Sequence, residues 1–195
     1  MTRSDTLSAD AAGLRIAVLV SRYHTEITDA LEKGARSAFE AAGGDPGMLE
    51  VFDSPGAFEL AGLASVALET GRFDAVVCLG CVIRGETSHD AWINGAVAHE
   101  LAAMSSRHGR PAAFGVITCN DIDQARARAG GDRGDKGIES MDAAIAAVRA
   151  AAAKRVLVSH GVLALLAHVE IGARLAAPAL SGLELALAHV AGRHE

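Results

Sequence analysis

Residues 75–89, Ala-Val-Val-Cys-Leu-Gly-Cys-Val-Ile-Arg-Gly-Glu-Thr-Ser-His, indicate both the fold of this chain and the place of its chemistry. The segment begins with a short apolar run, Ala75–Leu79, which predicts a buried β-strand. It continues through a polar loop with glycines at its bends, Gly80–His89, and a helix-like pattern follows from Asp90. Because the free N–H groups of a helix start favour an anion, the segment predicts a phosphate site beside a proton-transfer group.

The same alternation of strand and helix extends over residues 14–153. Apolar runs predict strands at 14–20, 49–52, 75–79 and 111–118, and helical spacing predicts helices at 25–42, 58–70, 90–107, 121–129 and 136–153. Strands separated by helix-length segments indicate βαβ units, so we predict an α/β protein, a flavodoxin-like three-layer αβα sandwich with a four-stranded parallel sheet. Ligands bind beyond the carboxyl ends of such strands, which places the candidate chemistry in loops 21–24, 53–59, 80–89 and 118–121.

Composition narrows the class of protein further. The chain has 195 residues, which suits one domain with a substantial core. Half of the residues are hydrophobic but only 4% are aromatic, so the core must be packed by Ala, Val, Leu and Ile. A formal net charge of −6 without a basic run argues against a nucleic-acid-binding surface. Residues 1–13 lack the charged-then-apolar layout of a signal peptide, so we expect a flexible N-terminus and a cytoplasmic protein.

The three cysteines, Cys78, Cys81 and Cys119, do not predict a metal site. Cys78 and Cys81 form a C-x-x-C motif, which is typical of a redox pair or of half a zinc site. However, the motif ends a predicted strand instead of opening a helix, and no second pair completes a set of metal ligands. We therefore interpret these cysteines as small buried core residues.

Five motifs in order give the chain a resemblance to a known family. They are Ser21-Arg-Tyr23 with Ile27-Thr28, Pro55-Gly-Ala-Phe-Glu59, Gly80–His89, Phe114-Gly-Val116, and Arg128-Ala-Gly-Gly-Asp-Arg-Gly-Asp-Lys-Gly137. Over residues 16–149 they resemble the 6,7-dimethyl-8-ribityllumazine synthases of riboflavin biosynthesis. The resemblance implies a transferase that condenses 5-amino-6-(D-ribitylamino)uracil with 3,4-dihydroxy-2-butanone 4-phosphate, the penultimate step of that pathway. It implies no metal and no organic cofactor.

The resemblance also implies a role for individual residues. His89 would be the catalytic residue, because histidine titrates near neutral pH and suits proton transfer. Tyr23 would stack on the pyrimidine ring with its flat π-face. The residues binding the pyrimidine and its ribityl chain would be Tyr23, Gly56, Ala57, Phe58, Glu59, Val82, Ile83 and Phe114. The phosphate would be bound by Gly85, Glu86, Thr87, Arg128 and Lys136.

Several positions have a simpler structural interpretation or depart from the family pattern. Without the resemblance, Phe58 would be a core residue and Glu59 a first-turn helix charge. After His89 the chain has Asp90-Ala-Trp92 where the family usually has an aromatic residue, Asp and Tyr, and His24 replaces a family asparagine. The histidines other than His89 are interpreted as structural or exposed: His24, His99, His108, His160, His168, His189 and His194.

The resemblance also implies how the chain assembles. Family members form homopentamers whose active sites lie at subunit interfaces, with the residues matched by Phe114 and Arg128 coming from the neighbouring subunit. Many pentamers form icosahedral shells, and the segment 130–137 carries no insertion that would conflict with one.

The alternative to the synthase function is that of a non-catalytic relative, which binds flavin or lumazine or forms a shell. A third possible function is that of an unrelated phosphate-binding α/β enzyme.

The resemblance ends near residue 153, and residues 154–195 form an extension to which it gives no guide. Its apolar segments are interrupted by charged and polar residues, so we predict no membrane-spanning helix. We predict helical segments that pack on the domain or on neighbouring subunits, and a poorly specified extension is the alternative. The predicted organisation is a flexible N-terminus at 1–13, an α/β domain at 14–153 and the extension at 154–195.

Overall fold

The computed structural model describes residues 10–154. Four parallel strands, β1 (Ile16–Ser21), β2 (Leu49–Ser54), β3 (Ala75–Ile83) and β4 (Ala112–Cys119), form one sheet in the order β2-β1-β3-β4. The helices are α1 (Thr25–Ala41), α2 (Leu60–Glu69), α3 (His89–His108), α4 (Ile122–Arg128) and α5, which covers 136–154. A 3₁₀ turn occupies Pro46–Met48, and a small antiparallel hairpin joins β5 (Ala129–Gly131) to β6 (Gly134–Asp135). The predicted α/β fold and its parallel sheet are confirmed.

Two apolar clusters cover the two faces of the sheet. Alternate residues of β1 point to opposite faces, so that Val18 belongs to one cluster and Leu19 to the other. The first cluster packs the sheet against α1, α4 and α5, and the second packs it against α2 and α3. Aliphatic side chains and alanines fill most of both clusters, as the composition predicts. The sheet therefore lies between two helical layers.

The structure corrects the boundaries of two predicted segments near the loops. β3 continues to Ile83, beyond its predicted end at Leu79, because Gly80–Ile83 pair with Val116–Cys119 of β4. Gly80 is thus a strand residue, and a Cβ atom at this position would lie only 3.3 Å from the Leu60 side chain. α2 begins at Leu60, two residues later than predicted. As a result the polar loop shortens to residues 84–88, and the turn before α2 includes residues 58 and 59.

The glycine-rich segment 128–137 builds the hairpin and the start of α5. Gly130 and Gly134 have φ values of 97° and 95°, a backbone conformation that favours glycine. Asp135 caps α5, since its Oδ1 accepts hydrogen bonds from the N–H groups of Gly137 at 2.8 Å and Ile138 at 3.1 Å. A Cβ atom on Gly137 would collide with the carbonyl oxygen of Leu31 in α1. Much of this motif therefore positions α5 against α1.

Predictions for residues 1–9 and 155–195 lie outside the described residues. Within 10–154, the structure contains no helix that is both long and apolar enough to cross a membrane.

Candidate active site

A cleft of about 470 Å³ opens at the carboxyl ends of β1, β2 and β3. We call it the strand-end cleft. In the sheet, β2 lies beside one edge of β1 and β3 lies beside the other edge, so the strand order reverses between β1 and β3. The cleft lies at this point of reversal. Its lining residues come from the loop after β1, the turn after β2, the end of β3 and the start of α3: Tyr23, His24, Gly56, Ala57, Phe58, Glu59, Cys81, Val82, Ile83, Gly85, Thr87, His89, Asp90 and Ile93.

The structure brings most of the predicted site residues together in this cleft. The pyrimidine and ribityl candidates Tyr23, Gly56–Glu59, Val82 and Ile83 share it with the catalytic candidate His89 and with the phosphate candidates Gly85 and Thr87. These residues come from three separate strand ends, and only the parallel sheet places them side by side. The remaining candidates, Glu86, Phe114, Arg128 and Lys136, do not line it.

Two aromatic side chains stand exposed at the cleft. Tyr23 is 66% exposed and Phe58 is 56% exposed. A core role for Phe58 is therefore wrong in this chain. Exposed aromatic faces beside a cleft favour the binding of a flat ring, because stacking then buries apolar surface that is otherwise in water.

The Glu59 carboxylate lies over the backbone of Gly56 inside the cleft. A Cβ atom at Gly56 would come within 2.8 Å of Glu59 Oε2, and the Ser54 hydroxyl donates to the Gly56 carbonyl at 2.8 Å to fix the turn. Glu59 is the N-cap residue of α2, which is where a charge at a helix start is expected. However, its side chain accepts no capping hydrogen bond. The carboxylate is thus placed to accept hydrogen bonds from hydroxyl groups of a ligand.

His89 is the first residue of α3 and is exposed to the cleft. The preceding residue, Ser88, makes no side-chain capping hydrogen bond, so the helix N-terminus is available to an anion. A Cβ atom at Gly85 would meet open space, which lets a ligand approach the loop backbone. Two carboxylates, Glu59 and Asp90, line the cleft, yet no lysine or arginine among the described residues does. A phosphate bound here would need a cation from elsewhere.

The candidate phosphate and ring contacts outside the cleft lie on other surfaces of the chain. Glu86 lines a neighbouring polar cleft of about 440 Å³, and Phe114 is 36% exposed on β4 at the edge of the sheet. Lys136, in the first turn of α5, forms an ion pair with Glu139. Arg128 lies at the end of α4. In one chain, Phe114, Arg128 and Lys136 do not line the cleft that contains His89.

Arg128 differs from its neighbour Arg126 in what it contacts. Arg126 forms ion pairs with Glu26 at 2.8 Å and Asp123 at 3.1 Å, and the hydrogen bond to Glu26 raises the pKa of Arg126 most. Arg128 is exposed, and its Nη1 donates to the Gln124 carbonyl at 3.2 Å. Within residues 10–154 it pairs with no carboxylate, so its guanidinium remains available for a bidentate contact with an anion.

Cys78 and Cys81 are buried, as the sequence predicts, and this burial raises the pKa of each thiol to about 12, whereas Cys119 is only partly buried. Cys81 lines the cleft as a neutral thiol, not as a nucleophile. The described part of the chain contains no cluster of three or more His, Cys, Asp or Glu residues that could hold a metal ion.

Four cleft residues are not among the site residues predicted from the sequence: His24, Cys81, Asp90 and Ile93. His24, for which the sequence predicts a structural or exposed role, lines the strand-end cleft next to Tyr23. The one signal in the sequence was its replacement of a family asparagine in the first loop.

The sequence is similar to those of known proteins. A sequence model of the family "6,7-dimethyl-8-ribityllumazine synthase" matches residues 13–152. A protein of that name from Campylobacter curvus is 41% identical over 131 residues, which cover 67% of this chain and 84% of the relative. The namesake from Sulfurovum sp. is 41% identical over 127 residues, covering 65% and 81%, and that from Helicobacter pylori (strain HPAG1) is 39% identical over 131 residues, covering 67% and 84%.

Proposed function

The chain belongs to the 6,7-dimethyl-8-ribityllumazine synthase family, transferases of riboflavin biosynthesis, and from this premise we propose the reaction that it catalyses. It condenses 5-amino-6-(D-ribitylamino)uracil with 3,4-dihydroxy-2-butanone 4-phosphate. The products are 6,7-dimethyl-8-ribityllumazine, phosphate and water. The observation that carries the proposal is the strand-end cleft, where exposed aromatic rings, a carboxylate and a histidine at a helix N-terminus meet.

Each group of the cleft has a place in this reaction. Tyr23 stacks on the pyrimidine ring, the backbone of residues 56 and 57 holds its polar edge, and the Glu59 carboxylate accepts hydrogen bonds from the ribityl hydroxyls. The backbone N–H groups of residues 85–87, in the loop that precedes α3, hold the phosphate. The substrate amine then lies beside the carbonyl carbon that it attacks.

The cleft of one chain lacks the cation that a phosphate requires, and this deficit supports an oligomeric enzyme. We infer that the chain forms a homo-oligomer with head-to-tail contacts, as in a pentamer. Arg128 of a neighbouring subunit would bind the phosphate, with Lys136 nearby, and Phe114 of that subunit would close the ring pocket. The exposed, carboxylate-free guanidinium of Arg128 and the exposed ring of Phe114 on the sheet edge suit these roles.

Catalysis then consists mainly of holding two substrates in register. Fixing an amine against a ketone removes much of the entropic barrier to imine formation. His89 moves protons as the imine forms, as phosphate leaves and as the second ring closes. No step requires a group that the cleft and a neighbouring Arg128 do not supply.

The His89→Ala variant is expected to be slowed by about 10²-fold in single-turnover rate but to remain active. The reason is that proton transfer is lost while the positioning of the two substrates is kept. His99→Ala is the matched control, because His99 lies exposed on the same helix with its Nδ1 bonded to the Gly95 carbonyl, and it should retain the wild-type rate. An inactive His89→Ala protein that binds both substrates normally, or one with the wild-type rate, would contradict this role.

The function itself is tested by mixing the purified protein with both substrates and following the lumazine chromophore. A rate well above the uncatalysed background is the expected result. Background rate from a folded oligomer that binds lumazine tightly would instead favour the non-catalytic relative. Turnover or binding that is indifferent to the pyrimidine would favour an unrelated phosphate enzyme.

A further inference from the structure

His24 has an uncommon backbone conformation at the edge of the strand-end cleft. With φ 60° and ψ 56° it is the only non-glycine residue among residues 10–154 in the left-handed region. For a side chain other than glycine this conformation is strained, although histidine tolerates it better than most residues. Such residues persist where the surroundings hold them, and they concentrate at ligand sites.

The backbone on both sides of Tyr23 is fixed. The His24 carbonyl accepts hydrogen bonds from the N–H groups of Ile27 at 2.9 Å and Thr28 at 3.1 Å, which starts α1. On the other side, Arg22 bonds Asp53 at 2.7 Å through its Nε and Asp29 at 2.8 Å through its Nη1. These contacts connect the loop after β1, residues 22–24, to β2 and α1. The loop therefore presents Tyr23 from a rigid base, and only the torsions of its side chain remain to be set.

The His24 ring contacts the Tyr23 ring directly. The ring centroids are 4.8 Å apart and the planes are at 81°, an edge-to-face arrangement. This is the one ring contact of Tyr23 within the described residues, and Tyr23 is otherwise 66% exposed. A perpendicular neighbour covers at most one face of a ring, so at least one face of Tyr23 stays free of His24. Without the imidazole, nothing comparable would restrain the phenol ring in solvent.

We propose that His24 is a positioning residue that sets the plane of Tyr23 for the pyrimidine substrate. This inference rests on the proposed function and adds to it a specificity contact made by a residue that departs from the family pattern. The left-handed backbone turns the His24 side chain toward the cleft, and the edge-to-face contact orders the phenol ring before the substrate arrives. Ordering in advance lowers the entropic cost of stacking, so the contribution of His24 is confined to binding of the pyrimidine.

The His24→Asn variant tests the proposal, because asparagine tolerates the left-handed backbone but removes the ring. An edge-to-face pair is worth about 0.5–1.5 kcal/mol, so the KM for the pyrimidine substrate should rise by about 2- to 13-fold. The kcat and the KM for the phosphate-bearing substrate should stay within about twofold of the wild type. His24→Gly, which fits the same backbone without strain, should behave alike.

A spectroscopic readout separates ring positioning from a purely structural role. The chain contains a single tyrosine, so protein labelled with 3-fluorotyrosine gives a ¹⁹F signal from Tyr23 alone. We expect His24→Asn to shift this signal, and the pyrimidine substrate alone, which cannot react without its partner, to move it in both proteins.

The outcomes distinguish this inference from the proposed function. A wild-type enzyme that turns over, with an unchanged pyrimidine KM in both His24 variants, overturns the inference alone. Equal changes in the constants for both substrates, or an unshifted ¹⁹F signal, would show a general structural role and overturn it as well. A wild-type protein with neither turnover nor a response to the pyrimidine would overturn the proposed function itself.

Discussion

Replacing Arg128 by alanine is expected to lower kcat/KM for the phosphate-bearing substrate by about 10²- to 10³-fold. The strand-end cleft contains two carboxylates and, among the described residues, no lysine or arginine, so the phosphate depends on a cation from outside it. Arg128 is exposed, and within residues 10–154 no carboxylate competes for its guanidinium. The loss should be measured by steady-state kinetics with each substrate varied in turn. The KM for the pyrimidine should change little.

Arg126→Ala is the matched control for this prediction. Arg126 lies two residues away on the same helix and is also exposed, but its charge is already paired with Glu26 and Asp123. Exposed ion pairs contribute little to stability, so this variant should keep both the fold and the catalytic rate. Similar losses in the two variants would mean that α4 matters only structurally. A fully active Arg128→Ala enzyme would remove Arg128 from the site.

Replacing Gly137 by alanine is expected to destabilise the folded protein by about 3 kcal/mol. Gly137 is buried at the start of α5, and an added methyl group would collide with the main-chain carbonyl of Leu31. Because the obstacle is backbone, the conflict cannot be relieved by rotating a side chain, and α5 must move away from α1. Denaturant unfolding at matched protein concentration measures the change in the free energy of unfolding.

Gly62→Ala separates this packing effect from the general effect of glycine in a helix. Gly62 is exposed in α2, and a Cβ atom there would meet nothing within 4 Å. Alanine favours the helix by up to about 1 kcal/mol, so Gly62→Ala should be neutral or stabilising. Should Gly137→Ala prove as stable as Gly62→Ala, the close packing of α5 on α1 would be wrong.

The fold was largely predictable because it rests on local patterns. Apolar runs such as Ala75–Leu79, each followed by a helix-length segment, are enough to indicate a parallel sheet between two helical layers. The end of β3 was not predictable in the same way. Gly80–Ile83 become strand by pairing with Val116–Cys119, a contact between distant parts of the chain. Glycine also suggests a bend in a single sequence, whereas Gly80 lies in a strand and packs closely beside Leu60.

The candidate site was predictable where a motif and a strand end coincide. His89 and Glu59 were proposed from their motifs, and the sheet brings both to one cleft. The geometry of His24 was not predictable, because a left-handed backbone and a ring contact have no periodic signature in a sequence. The resemblance implies that Arg128 acts from a neighbouring subunit, and Arg128 does not line the cleft of its own chain.

Joint assembly of His89→Ala and Arg128→Ala subunits tests most directly the claim that lumazine synthesis occurs at sites shared between subunits. The two chains, with different affinity tags, would be co-expressed in equal amounts, and assemblies carrying both tags would be assayed with both substrates. If the cleft and Arg128 come from different subunits of a head-to-tail assembly, a productive site needs an intact His89 in one subunit and an intact Arg128 in its neighbour. With equal amounts of the two chains, about a quarter of the sites contain both. We therefore expect about a quarter of the wild-type rate. A rate no higher than the mean of the two separate variants would contradict it.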